Sequence, residues 1–426
     1  MGSASSCKSG GAGRAGEPGL PGLLAPTGVL PTRPPYCSHP VIYRHIVIKS
    51  TINKISQLRV IESDVNMSSN VEQYYPQLAA MYDQGYRMLV FALHPGTSRC
   101  YGLPGIGKAQ SVLRFHGIFR RLFPGEESRQ WELRVEKSSI LSQFYNHCPG
   151  SMFMSSDRTM GSTTDNSKLF KTLQRISTAG GRLVNVELTG EAGKQLVIQR
   201  PFRLGQVDDL YTQFLMNSTK MQIAVDVFYE LPRSGSGGQR YMYQIVPCLM
   251  ESKPSKGRWV SKIPWETVMR QYLITGWKLV EIFEDYSSSI NYNNQQMFSM
   301  KITMQKNFLW IFEKAVSRRD DPTPLYEGTM VEHWCTITRK EHAMGLGGWS
   351  TNVATNWEPL LDHSGHSGWQ LVRIIDTPDT QIEGIFHPII HQRQMIFLQR
   401  LIGNRRTRLS NTFGLPRDAT QSTDEV

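Results

Sequence analysis

TGWKLV at residues 275–280 and SGWQLV at residues 367–372 share a glycine, a tryptophan and the start of an apolar run. QGYRMLV at residues 84–90 and GGRLV at residues 180–184 follow the same pattern more loosely. The anchoring glycines, Gly85, Gly181, Gly276 and Gly368, are separated by 96, 95 and 92 residues. This spacing predicts four copies of a unit that is larger than the common solenoid repeats of about 20–50 residues.

The sequence before each glycine predicts a helix. The four helical stretches are VEQYYPQLAAMYDQ, NSKLFKTLQRISTA, PWETVMRQYLIT and NWEPLLDHSGHS. In the second stretch, Leu169, Leu173 and Ile176 recur at helical spacing. Asn166 and Asn356 are expected N-caps, and each following glycine is expected to end its helix in the left-handed conformation.

Strand-like stretches surround each helix. A run rich in β-formers follows the glycine, as in WQLVRII. Return strands are predicted at QLVIQR, NFLWIFEK and MIFLQR, and strands before the helices at YRHIVIK, WELRVEK, MQIAVDVFYEL and MVEHWCTI. The prediction is an α+β fold of four quasi-repeated strand–helix–strand–strand units, with antiparallel sheets, helices on one face, and two lobes.

Composition divides the chain into four segments. Residues 1–40 are rich in Gly, Ala, Pro and Ser. They predict a disordered tether, because such a segment buries too little apolar surface to offset the entropy of ordering. Residues 41–215 and 216–402 are predicted to hold the first and second pairs of units, and residues 403–426 a flexible C-terminal tail.

Charge and cysteine content narrow the function classes. The formal net charge of +11 suits nucleic acid, an acidic membrane surface or a solvated basic surface, and the basic residues are dispersed. No run of about 18 apolar residues predicts a membrane-spanning helix. No C-x-x-C pair is present, so Cys100, Cys148, Cys248 and Cys335 are expected to be mostly buried thiols in a reducing compartment.

GLPGIGKA at residues 102–109 partly matches a phosphate-binding loop that would use Lys108. Ala109 replaces the hydroxyl residue that binds magnesium, so a flexible surface loop is the favoured interpretation. SVLRFHGIFRRLF at residues 111–123 could form a basic amphipathic helix suited to a membrane surface, although an ordinary core element is favoured.

Histidines are frequent between His333 and His391. His363 and His366, like His387 and His391, have a spacing that could hold zinc on one helix face. Glycine and proline interrupt both stretches, so solvated or half-buried histidines are predicted instead. Neither a nucleophile elbow nor a cysteine nucleophile signature is present, and we therefore expect no catalytic residue, cofactor or metal.

The N-terminus, MGSASSC, matches the G-x-x-x-[ST] pattern of N-myristoylation. Removal of Met1 would expose Gly2, and Ser6 lies four residues further on. Cys7 follows five residues after Gly2, within the segment predicted to be flexible.

The chain resembles the raftlin family at YDQGYRMLVFALHP, IFRRLF, VEHWCTI, EPLLDHSGHSGWQLVRIIDTP and QMIFLQR. The resemblance covers most of the chain between about residues 40 and 402. It implies an acylated protein without catalytic activity, in lipid rafts on the cytoplasmic face of the plasma membrane, with a cytosolic or endosomal pool. The implied partners are plasma-membrane lipids and signalling or trafficking proteins, and the implied role is raft organisation in support of receptor signalling.

The resemblance also indicates the lipidation sites. Gly2 corresponds to the family's N-terminal glycine, which implies N-myristoylation. The better-known members have a cysteine directly after that glycine and a lysine-rich stretch soon afterwards, whereas this chain has Ser3, Lys8 and Arg14. Cys7 is the nearest cysteine and is expected to carry an S-palmitoyl group. The alternative is a soluble basic nucleic-acid-binding protein, which only the net charge supports.

Overall fold

A computed structural model shows an α+β molecule built mainly of antiparallel strands, as the sequence predicts. The structure describes residues 40–54, 71–93, 99–103, 106–126, 131–147, 157–188, 220–233, 240–255, 258–296, 299–340, 350–384 and 389–402. The predicted tether, the predicted tail and the QLVIQR strand lie outside these residues.

The described elements follow one another in four consecutive groups, which we call quarters. The first quarter contains β1 Tyr43–Lys54, α1 Val71–Asp83, β2 Tyr86–Leu93, β3 Arg99–Leu103 and β4 Ile106–Arg121. The second quarter contains β5 Trp131–His147, β6 Asp157–Asp165, α2 Ser167–Thr178, β7 Arg182–Leu188 and β8 Lys220–Pro232. The third quarter contains β9 Tyr241–Ser255, β10 Arg258–Lys262, α3 Trp265–Leu273, β11 Lys278–Gln296, β12 Ser299–Ala315 and a 3-10 turn at Val316–Arg318. The fourth quarter contains β13 Tyr326–Lys340, β14 Ser350–Ala354, α4 Glu358–His366, β15 Gln370–Glu383 and β16 Ile389–Leu401. All four predicted helices are confirmed.

The described strands form three sheets. The first has the order β1-β4-β2, with β3 also paired to β4. The second is a curled sheet of eight strands in the order β10-β9-β12-β11-β6-β5-β8-β7, and the third has the order β14-β13-β16-β15. In each quarter, the strand after the glycine pairs with the quarter's last strand, which in turn pairs with its first strand.

One strand prediction needs correction, and several strands of the structure were not predicted. MQIAVDVFYEL was expected to open the third unit, but it forms most of β8, which pairs with β5 and β7. The predicted boundary at residues 215–216 lies outside the described residues. The strands β3, β6, β9, β10 and β14 were not predicted, and β6 pairs with β11 to join the two halves of the eight-stranded sheet.

A left-handed glycine follows the end of each helix. The four are Gly85, Gly180, Gly276 and Gly368, with φ between 78° and 83°. In the second quarter the prediction named Gly181, but the left-handed residue is its neighbour, and the Gly181 amide donates to Ile176 O at 2.8 Å. Asn166 is an N-cap residue as predicted, whereas Asn356 precedes the N-cap Trp357 and has a φ of 52°.

The strand after each of these glycines carries a β-bulge at the same position. The bulged residues are Leu89, Val184, Val280 and Val372. Each stands four residues after its left-handed glycine. A bulge bends the strand and redirects the side chains that follow it.

Three of the helices lie between two sheets rather than on one face, and α2 packs against strands of the curled eight-stranded sheet alone. α1 packs against β2 and β5, α3 against β11 and β13, and α4 against β15 and β1. α2 packs against β5 and β7, and Ser177 Oγ donates to Tyr241 O of β9 at 2.6 Å. Because α4 returns to β1, the four quarters close into a ring, in which β2, β7, β11 and β15 pack in sequence around the centre.

Gly365 of α4 allows the first and fourth quarters to approach closely. The Val41 amide donates to Gly365 O at 2.8 Å. A Cβ atom at position 365 would overlap the carbonyl oxygen of Val41 and lie 2.9 Å from Tyr43 Cε2. We expect Gly365→Ala to lower the free energy of unfolding by about 1–3 kcal/mol, because residues 41–43 must move away from the helix.

Urea unfolding measures this effect. His363→Ala, on the exposed face of the same helix, is the control. Wild-type stability in the Gly365→Ala variant would contradict this packing between α4 and the start of β1.

Candidate functional site

The centre of the ring contains polar side chains from three of the four strands that follow the glycines. The residue after each bulge stands at the same position in its strand: Val90, Asn185, Glu281 and Arg373. Asn185 and Glu281 are at most 1% exposed, and the Arg373 side chain is 11% exposed. We call Asn185, Glu187, Glu281 and Arg373 the central cluster.

Hydrogen bonds in the central cluster connect all four strands. Arg373 Nη2 donates to Glu187 Oε2 at 2.7 Å, and its Nη1 lies 3.3 Å from Glu281 Oε1. Asn185 Nδ2 donates to Glu281 Oε2 at 2.7 Å. The amide of Phe91 in β2 donates to Asn185 Oδ1. One guanidinium is therefore paired with two buried carboxyl groups, one from β7 and one from β11.

Burial governs the ionisation of Glu281. It raises the pKa of Glu281 to about 7, because the neighbouring Arg373 and the hydrogen bond from the Val186 amide offset only part of the desolvation. The nearby Glu187 carboxylate acts in the same direction as burial. Burial also disfavours the charged guanidinium, but Glu281 and Glu187 hold the pKa of Arg373 above its ordinary value. The cluster therefore carries a net charge of −1 when both carboxylates are ionised.

A cavity of about 100 Å³ lies beside the central cluster. Its apolar lining includes Leu93, Leu188, Phe283 and Ile375. Two further carboxylates on the lining have partners of their own. Glu284 Oε1 lies 3.0 Å from Lys306 Nζ. Asp376 Oδ1 accepts a hydrogen bond from Gln394 Nε2 at 2.7 Å.

The central cluster is suited to holding strands together. Both of its carboxyl groups contact the guanidinium of Arg373, so they are paired across the strands instead of facing a reactant. Buried, hydrogen-bonded ion pairs specify one arrangement of the groups around them, because any displaced partner leaves an uncompensated charge. The geometry therefore favours a structural role at the ring centre.

A second polar group lies between the first and fourth quarters. His45 Nε2 is hydrogen-bonded to His116 Nδ1, and His45 Nδ1 lies 3.1 Å from Glu358 Oε1. The ring of Trp357 meets His116 edge-on, with 4.6 Å between the ring centroids. Burial lowers the pKa of His45, and the carboxylate of Glu358 opposes that shift.

The lipidation sites predicted from the sequence, Gly2 and Cys7, lie outside the described residues. Among the residues that the structure does describe, no helix is long and apolar enough to cross a bilayer. Cys248 and Cys335 are buried free thiols, as predicted.

Two further sequence stretches, GLPGIGKA and SVLRFHGIFRRLF, differ from their predicted structures because both contribute residues to β4. Lys108 lies in β4 rather than in a surface loop, and Leu103 pairs with Ile106 in the β3–β4 hairpin. β4 continues to Arg121, so the helix that a phosphate-binding loop requires does not follow. SVLRFHGIFRRLF belongs largely to the same strand, with Phe115 and Phe119 in the core.

Three of the four histidines whose spacing could hold zinc lie within the described residues. His363 and His366 are exposed on α4, which continues through Gly365, and His387 lies outside the described residues. Within the described ranges, no group of three or more His, Cys, Asp or Glu residues is placed to hold a metal ion.

Comparison of the chain with protein-family models, with curated proteins and with solved structures finds no match. The likeness to raftlins therefore depends on the motifs in the sequence.

Proposed function

We propose that this chain is a non-enzymatic, raftlin-like protein that is lipid-anchored to the inner leaflet of the plasma membrane. There it would organise lipid rafts and support receptor signalling or trafficking. The observation that carries the proposal is the N-terminal MGSASSC, in which Gly2 and Ser6 match the myristoylation pattern.

Stable attachment needs a second signal besides the Gly2 myristoyl group. One myristoyl chain gives an association constant of only about 10⁴ M⁻¹. Lys8 and Arg14 are too few to retain the protein at roughly 1 kcal/mol per basic residue. A palmitoyl chain on Cys7 would contribute about 0.8 kcal/mol per buried methylene, and Cys7 is close enough to Gly2 for both chains to enter one leaflet.

The folded body, in this proposal, consists of four copies of one unit. Three shared features support this: the left-handed glycine after the helix, the bulge four residues later, and the pairing order of the strands. A closed ring of such units would keep its polar contacts inside and present the outer sides of its sheets and helices to partners. That arrangement suits a scaffold.

Membrane fractionation of cells that express single variants tests the anchor. We expect Gly2→Ala to move the protein to the cytosolic fraction at high salt, because Cys7 meets a membrane-bound acyltransferase only after myristate has brought it there. We expect Cys7→Ser to leave a weakly bound, exchanging population. Ser3→Ala, which keeps both acceptor residues, is the control, and the intact mass of the N-terminal peptide reports the acyl groups.

The result can also contradict the proposal in two ways. Membrane retention of Gly2→Ala after a high-salt wash would show that dual acylation is not the anchor. Release of the wild-type protein by high salt would instead indicate binding to phosphate groups, because such binding weakens steeply with ionic strength whereas acyl-chain insertion does not.

A further inference from the structure

The β9–β10 hairpin has one face buried against the fourth quarter. Met250, Ser252 and Ser261 on this inner face are at most 3% exposed. The Oγ atoms of the two serines are 2.9 Å apart, and Ser261 Oγ donates to Asp379 Oδ1 of β15 at 2.8 Å. The hairpin is thereby fixed to the body of the protein at the edge of the eight-stranded sheet.

The outer face of this hairpin is basic and partly apolar. Val260 pairs with Lys253, Lys262 with Glu251, and Arg258 with Ser255. Directly opposed residues in an antiparallel pair share a face, and so do alternate residues along a strand. The outer face therefore contains Leu249, Glu251, Lys253, Arg258, Val260 and Lys262.

Cations outnumber carboxylates on the outer face by three to one. Glu251 Oε1 lies 2.6 Å from Lys253 Nζ, and this hydrogen bond lowers the pKa of Glu251 and keeps it ionised. Leu249 is 52% exposed and Val260 is 38% exposed. Two exposed aliphatic side chains therefore lie among three bases on a rigid surface.

We propose that the outer face of the β9–β10 hairpin binds an anionic lipid bilayer. Lysine and arginine near a membrane are attracted by acidic headgroups, and apolar side chains beside them enter the interface. The inference rests on the proposed membrane location and adds a contact that does not depend on acyl chains.

The chemistry of the face favours a bilayer over nucleic acid. The exposed residues among the bases are aliphatic, whereas single-stranded nucleic acid is bound by stacking its bases on aromatic rings. Trp259 alternates with Arg258 and Val260, so it belongs to the inner side of the hairpin, where it is half-buried.

Vesicle co-sedimentation of the full chain tests this surface. The parent protein carries Gly2→Ala and is produced without acylation, so any binding comes from the folded body. We expect it to sediment with vesicles of phosphatidylcholine and phosphatidylserine but not with phosphatidylcholine alone. Arg258→Gln with Lys262→Gln should weaken this binding about thirtyfold, as expected for two bases at a membrane surface.

Matched variants make the test specific. Lys168→Gln with Lys171→Gln removes two exposed lysines from α2 and should bind like the parent. Leu249→Ser with Val260→Ser should release the protein at a lower salt concentration than the parent requires. An unchanged urea midpoint shows that each variant is folded.

Two results would overturn the inference. One is equal sedimentation of the parent and the Arg258→Gln, Lys262→Gln variant with the acidic vesicles. The other is weak vesicle binding combined with tight binding of a single-stranded RNA that the same variant loses, which would assign the face to nucleic acid. Neither result bears on acylation, which the fractionation of Gly2→Ala in cells tests separately.

Discussion

Arg373→Met is expected to lower the free energy of unfolding by about 3–5 kcal/mol at neutral pH. The change removes the guanidinium that lies between Glu187 and Glu281, whose carboxylates are at most 1% exposed. Both buried carboxyl groups then lose the guanidinium that they share, and keeping a carboxylate buried there, or protonating it, costs free energy at neutral pH. Urea unfolding of the purified protein measures the loss, which should appear as a lower midpoint.

Two comparisons show whether the loss comes from the buried charges. Arg134→Met removes an exposed partner of Glu132 and should cost less than about 1 kcal/mol. Adding Glu187→Gln to Arg373→Met should recover some of the stability, because it removes one of the two buried carboxyl groups that lost the guanidinium. A loss from Arg373→Met no larger than that of the exposed control would show that the central cluster does not hold the ring together.

The helices were predictable because their signals are local. Leu169, Leu173 and Ile176 pack on one side of α2, and a glycine ends the helix where the periodic pattern stops. Gly181 was named in place of Gly180 because either glycine fits the sequence pattern. Only the backbone conformation distinguishes them.

Strand pairing was less predictable because its determinants are distant in sequence. β8 has the alternating apolar residues of a strand, but nothing in that pattern says whether it pairs with β7 before it or with β9 after it. β6, β10 and β14 are short or polar, and the residues on either side of positions 104–105 in GLPGIGKA belong to paired strands that its glycines do not suggest. The ring closure depends on contacts such as Val41 with Gly365, which are 324 residues apart.

The sequence contains a pattern from which the central cluster could have been predicted. Asn185, Glu281 and Arg373 each follow two apolar residues and precede another apolar residue. A polar residue at such a position needs a buried partner. Counting from Gly180 rather than Gly181 puts all three residues at the same distance from their glycines. Gly2 and Cys7 remain predictions.

We also expect Glu281→Gln to remove most of a pH dependence that the wild-type protein shows between about pH 5 and about pH 8. The pKa of Glu281 is raised from 4.5 to about 7 in the folded chain. The folded state therefore binds a proton more tightly than the unfolded state does, and this contribution to stability is fully present below the unfolded pKa. It is lost as the pH rises through 7, which costs about 2–3 kcal/mol over this interval.

Glutamine is neutral at every pH and can still accept a hydrogen bond from Asn185 or from the Val186 amide, so the variant should keep nearly constant stability where the wild type declines. Urea unfolding at several pH values measures both slopes, and Glu266→Gln, an exposed change on α3, should retain the wild-type slope. His45 acts in the opposite direction, because its lowered pKa reduces stability as the pH falls below its ordinary value of 6.5. This second effect is present in all three proteins, so the difference between their slopes isolates Glu281. Parallel slopes for the wild type and Glu281→Gln would mean that the carboxyl group of Glu281 titrates normally and that Arg373 fully compensates it.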